Sequence, residues 1–389
     1  MTVALARLRR TAPEPVPARP APPSRLSPGA ARWLLRAALA LPYVVLAVIA
    51  VRVPTTTLLG LTGNEATLDR ARAAVDGGVV QAIGQLYPLV SGVLLRFMPF
   101  GVDGAAVVGG VVAGMLLQFL AQEMRQRGLP MRHVVAFTIA LGANPLYAFV
   151  ALNDLQAFLG IALFALAVVR MVRFFAWGDT QAGFRAGLAL MLCTLVDPMG
   201  FVYVVIAALA APLLDLARQG QRGIRRANVM VVVFPSIAVA LSMGFLDLVV
   251  LHDPFAALRG AISITGERLT GLQHLFATAD GVLLIAMLVA GAALALLAGR
   301  PGAIVLVVAL FAGIIGEYAI GLVPVASAGN VFVTTLSVAI AILPRVEGRL
   351  ASWLVLVLAI LQVPLAWVAA SQREVVLVWM QALVQAVHG

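Results

Sequence analysis

The sequence predicts an all-α integral membrane protein, and three observations carry that reading. Apolar residues fill 62% of the 389 positions, charged residues only 11%, and the mean hydropathy is +1.02, far from the balance of soluble domains. The apolar residues gather in runs close to the roughly 20 residues needed to cross a hydrocarbon core about 30 Å thick. The basic residues, all 27 of them arginine, fall mostly between those runs. A net charge of +10 then reads as loop arginine that sets orientation, and nucleic acid is not an expected partner.

Residues 1–30 are rich in proline from Pro13 to Pro28 and carry Arg7, Arg9, Arg10, Arg19 and Arg25. Such a stretch cannot bury enough apolar surface to fold, so a disordered cytoplasmic tail is expected, touching anionic headgroups at most. Residues 31–389 form the membrane domain. Its first run, "WLLRAALALPYVVLAVIAV", is too long for a signal-peptide core and is expected to remain as the first span. Further runs follow at 103–121, 133–151, 155–172, 184–196, 199–214, 229–251, 281–299, 303–323, 331–343 and 350–370. The expected count is therefore about eleven transmembrane helices.

The run 86–101, "LYPLVSGVLLRFMPFG", is only about fifteen residues long and is better suited to lying at a surface than to crossing. If it does not cross, every arginine except Arg52, Arg70, Arg72, Arg96, Arg259, Arg268 and Arg373 falls on the side of the N-terminus. That is the cytoplasmic side by the positive-inside rule, and the C-terminus then lies outside. As an interfacial helix, this run is expected to turn Leu89, Val93 and Phe97 toward the apolar side. Two outer loops are long, 54–101 and 252–280, and the acids Glu65, Asp69, Asp76, Asp154, Asp197, Asp253, Glu267 and Asp280 lie on that same side. Asp247 and Glu317 sit near the outer ends of their runs, where intramembrane acids commonly line a cavity.

Several chemistries are excluded or weakened. Cys193 is the only cysteine, so no intrachain disulfide framework or thiolate metal site exists. The four histidines show no dedicated metal spacing. No Walker sequence or other glycine-rich phosphate loop is present, and the many glycines sit within the runs, where small residues permit close helix packing. No particular cofactor is indicated, although a divalent cation held by carboxylates and phosphate is compatible with these residues.

One stretch carries a resemblance. The first span leads into a long loop with Asn64-Glu65, then Tyr87-Pro88-Leu89, then Phe100-Gly101, and later "ANPLYAFVALNDLQAF" (143–158) places Asp154 in the next outer turn. Over roughly residues 33–175 this resembles the C-type (GT-C) membrane glycosyltransferases. In those enzymes an acidic pair opens the first loop and a Tyr-Pro-Pro-Leu-like sequence follows. Here Asn64 stands where the family usually has aspartate, and one proline replaces its pair.

The resemblance implies a GT-C-like fold with interfacial helices in the long first outer loop. It also implies sugar transfer from a polyprenyl-phosphate donor to an acceptor at the outer face, in a bacterial inner (plasma) membrane. Glu65 and Asp154 are the catalytic candidates, because a surface carboxylate can deprotonate the attacking hydroxyl. Asn64, Asp69, Arg72, Tyr87, Arg96, Arg259 and Arg268 are the substrate-binding candidates, since guanidinium groups match phosphate oxygens. Two other classes remain open: a transporter or flippase, which commonly shows repeated halves not evident here, and a non-catalytic scaffold of envelope assembly, for which Asn64 speaks.

Overall fold

The computed structural model describes residues 28–52, 63–78, 87–177, 179–214, 222–275, 277–297, 302–323, 331, 334, 338 and 349–388. Among them helix dominates and no strand occurs. The expected tail lies almost wholly outside the described residues; of the first 35, residues 28–35 form the opening turns of a helix, with Trp33 and Leu34 exposed. The chain from Arg36 onward forms a second unit.

That opening helix is α1 (Pro28–Ala50). The first long loop then contributes two short helices, α2 (Gly63–Asp76) and α3 (Leu89–Arg96). At 8 residues, α3 is roughly 12 Å long and cannot cross a bilayer. Val93 and Phe97 are exposed on it, but Leu89 packs against Ala71 and Ala74 of α2, so the three do not share one outward face. The long α4 (Val102–Gln126) follows, then α5 (Met131–Gly142), α6 (Pro145–Asn153) and α7 (Leu155–Trp177). Next come α8 (Thr180–Val196), α9 (Gly200–Leu214) and α10 (Arg222–Leu251). The second long loop holds α11 (Ala256–Ala261) and α12 (Gly266–Leu275). The chain closes with α13 (Ala279–Leu297), α14 (Gly302–Ile320), α15 (Arg349–Ser371) and α16 (Glu374–His388).

The eleven-span count is corrected. Among the described residues five helices are long and apolar enough to cross a membrane, and a sixth crossing results if the bent pair α5–α6 is one span. The physical reason is that apolar runs are not continuous helices. The run 133–151 bends by 56° where Asn144-Pro145 intervenes: proline lacks the N–H of a continuing helix and pushes the residue before it toward extended backbone. The runs 184–196 and 199–214 are separated by the Asp197-Pro198 turn into shorter helices, and 331–343 lies largely outside the described residues. The apolar stretches described in α13 and α14, Gly281–Ala293 and Ile304–Ile320, are also below span length.

Asn144 restarts the chain after the bend. Its Oδ1 accepts the backbone N–H of Leu146 (2.8 Å) and Tyr147 (3.3 Å), with Pro145 in the first turn, a combination favoured at helix starts. Asn144→Ala is expected to cost about 0.5–2 kcal/mol, read as a lowered midpoint of thermal unfolding in detergent.

Tyr147 anchors the centre of the largest buried cluster. It is fully buried, donates through its hydroxyl to the Ala113 carbonyl at 2.8 Å, and meets Tyr43 and Phe158 edge-on at 5.7 and 5.2 Å. Close approach of α4 to α6 depends on Gly109, where an added Cβ would fall on the Ala151 carbonyl oxygen. The periphery is the reverse of a soluble protein: α10 is apolar yet only 11% of its most hydrophobic window is buried, and Phe234, Leu241 and Phe245 stand exposed. Exposed apolar surface on this scale needs an apolar medium.

Candidate functional site

The site forms where the first long loop meets the junction between α6 and α7. Asp154 occupies that junction, 6% exposed, and its Oδ1 accepts the Ala157 N–H at 3.2 Å, capping the start of α7. The opening residues of α2 press against it. Gly63 is so close that a Cβ there would overlap the Asp154 carboxyl. Asn64 then clamps the junction from both sides, its Nδ2 donating to the Leu152 carbonyl (2.9 Å) and its Oδ1 accepting the Leu155 N–H (2.8 Å). One turn on, the Thr67 hydroxyl donates to Gln156 Oε1 at 2.8 Å.

These contacts enclose a pocket of about 20 Å³ lined in part by Gly63, Thr67, Arg70, Asp154, Gln156 and Asp197. A space of that size admits a water molecule or a single hydroxyl, not a sugar ring. Arg70 is an exposed residue overall yet contributes to this lining. Burial lowers the proton affinity of its guanidinium, against the Asp154 carboxylate, which raises it. Asp197, in the turn before α9, is 1% exposed; its Oδ1 accepts the Met199 N–H at 3.0 Å, while Oδ2 is buried with no partner among the described residues. Burial first, and the neighbouring Glu317 next, push the Asp197 carboxyl well above the usual range, against the Met199 N–H that favours its charged form.

Tyr87 links the site to the second long loop. It is 4% exposed and packs with Ala257 and Leu322, and its backbone carbonyl accepts a long bond from Arg70 (3.4 Å). Its phenol is raised above the ordinary tyrosine value by burial, then by Glu317 and Asp197. Arg268 braces the same region from α12, donating to the Tyr318 and Val323 carbonyls at 2.9 Å each.

The sequence candidates therefore divide. Asp154 lines the pocket and Asn64 holds the residues on either side of that junction, while Tyr87 reaches the wall through Leu322 and Arg268 through Val323. Glu65 lies in the first turn of α2, half-buried and outside the lining residues. Asp69 and Arg72 pair with each other at 3.4 Å in the open, and Arg259 pairs with Asp253 at 3.2 Å. Exposed pairs of this kind contribute little. Arg96 ends α3 with its Nε buried and unpartnered among the described residues. Thr67 and Gln156 carried no signal in the sequence. Asp197 appeared only among the polar residues of one side, and Arg70 among the outer arginines able to meet a phosphate charge. Among the described residues no group of three or more His, Cys, Asp or Glu is suited to a metal ion.

Asn64→Leu keeps the branched heavy-atom shape but leaves the Leu152 carbonyl and Leu155 N–H without their partner. A loss of about 1–3 kcal/mol for each buried group left unpaired is expected, measured by thermal unfolding.

Fold and surface define a helical membrane protein. Set against known protein families, curated proteins and solved structures, the chain matches none.

Proposed function

We propose that the chain is a membrane glycosyltransferase that moves a sugar from a polyprenyl-phosphate donor to an acceptor hydroxyl. The observation that carries this reading is that a buried carboxylate, Asp154, and the cationic Arg70 line one small pocket beside the first long loop. The acceptor hydroxyl enters the pocket and gives its proton to Asp154 as its oxygen bonds to the anomeric carbon. The bond from that carbon to the phosphate oxygen breaks, the phosphate leaves with the electron pair, and Arg70 meets its charge. The base role thus goes to Asp154 rather than Glu65.

The reading is tested in proteoliposomes carrying radiolabelled polyprenyl-phosphate hexose or pentose. Label is expected to pass from lipid to acceptor. Solute uptake without transfer would replace the reading with transport, and neither activity would leave a scaffold.

Orientation belongs to the same proposal: N-terminus in the cytoplasm of a bacterial-type inner membrane, Asp154 toward the outside. With Cys193 replaced, a cysteine at Gly128 is expected to resist an impermeant thiol reagent in intact cells, and one at Gly266, where the side chain meets open space, to react. The reverse pattern would invert the topology.

A further inference from the structure

Gln156 brings to the candidate pocket a donor that the transfer step does not use. Gly63, Thr67 and Arg70, spaced i, i+4 and i+7, turn one face of α2 to the pocket, and Asp154, Gln156 and Ala157 meet it from the start of α7. Gln156 is 6% exposed, and its Oε1 accepts the Thr67 hydroxyl at 2.8 Å. That bond fixes which end of the amide faces Thr67, so Nε2 turns the other way. Nε2 carries no hydrogen bond among the described residues, and it is not one of the side-chain atoms sealed from solvent. The surface that Gln156 gives to the pocket wall therefore carries a free N–H donor, in the same lining as the Asp154 carboxyl.

An acceptor on one wall and a donor on another suit a hydroxyl. Its oxygen gives the proton toward the Asp154 carboxylate, takes the Gln156 Nε2–H on one lone pair, and keeps the second lone pair for the anomeric carbon. An ammonium group has no lone pair for Gln156. The pocket also limits what carries the hydroxyl. Its space of about 20 Å³ is close to the room one water needs, and a hydroxyl stands a single bond out from its carbon, so that carbon has to enter the mouth with it. A primary carbon brings two hydrogens and one chain. A secondary carbon brings a further carbon branch, which meets the apolar wall of Met199, Leu322 and Val323.

We infer, resting on the glycosyltransferase reading, that the acceptor is a primary alcohol whose oxygen is held by the Gln156 amide N–H, with Thr67 as the positioning residue behind it. Proteoliposomes carrying the full-length protein and radiolabelled polyprenyl-phosphate hexose are supplied with a primary octanol or its secondary isomer at equal concentration. Transfer is expected to favour the primary isomer by about 10- to 200-fold, the scale set by one carbon branch against a fitted wall. Gln156→Met removes the donor at nearly constant length and is expected to raise the KM for the primary octanol about 2- to 10-fold, while the KM for the sugar lipid holds. Thr67→Val keeps the shape but frees the amide to turn, and is expected to move the same KM in the same direction. A purely structural role for either residue would lower the unfolding midpoint and leave the ratio of the two KM values unchanged. Similar rates with both isomers, or an unchanged octanol KM in folded Gln156→Met, would overturn the inference and leave the glycosyltransferase reading standing. So would transfer to neither octanol with label still passing to an acceptor in a total envelope extract; no transfer to any acceptor would remove both. The isomer comparison uses the wild-type protein and decides even where a variant fails to fold.

Discussion

Asp154→Asn is expected to slow sugar transfer by roughly 10²–10⁴-fold, the range lost with a positioned general base, while folding stays nearly intact. The substitution separates two duties of one side chain. As the cap of α7, Asp154 accepts the Ala157 N–H through one oxygen, and an asparagine amide oxygen accepts that bond about equally well. As a base it must take up a proton, which an amide cannot do. The expected result is a nearly unchanged unfolding midpoint together with a collapse of turnover from a polyprenyl-phosphate sugar. Normal turnover in the folded variant would remove Asp154 from the chemistry.

Gly109→Val is expected to have the largest effect on stability. The Cβ at this position would fall on the Ala151 carbonyl oxygen, a backbone atom with no rotamer through which to retreat. The cost of forcing side-chain volume into such a contact is about 1–3 kcal/mol or more. Gly266→Ala serves as the control, because a Cβ there meets nothing within 4 Å and the unfolding midpoint is expected to hold. The damage also reaches the site, because Ala151 lies on α6, three residues before Asp154. Gly109→Val is therefore expected to lower transfer as well as stability, whereas Asp154→Asn lowers transfer alone. A Gly109→Val protein with an unchanged unfolding midpoint would refute the close helix contact.

Much of the class was legible from composition because a lipid environment imposes itself on every helix that meets it. The number of crossings was not, because hydropathy adds up residues without seeing where the backbone turns. The run 133–151 reads as one continuous span, and Pro145 within it was the available sign of the break, since a proline preceded by asparagine matches a helix start as well as a kink. Asp197 and Glu317 were legible as polar residues at the edges of apolar runs.

The site itself was only half legible. Asp154 was found because an acid in a short turn between apolar runs has few structural alternatives. Asn64 was read as a substrate contact, yet its amide is occupied on both sides by the backbone of residues 152 and 155. Residue type reveals what a side chain can bond, not which distant partner claims it. Thr67 with Gln156 shows the same limit, since their bond joins positions 89 apart. The pairs Asp69–Arg72 and Arg259–Asp253 show the same limit on exposed charges, where arginines expected to meet a phosphate lie 3.4 and 3.2 Å from a carboxylate.

The Asn64 clamp also sets a timetable for biogenesis. Its two backbone partners lie 88 and 91 positions downstream, so a ribosome adding about 5–20 residues per second delivers them roughly 4–20 s after Asn64 itself. For that interval α2 has α3 and the start of α4 to pack against but lacks the corner that Asn64 clamps. The pocket is thus a late product of synthesis, closed only when the α6–α7 corner arrives.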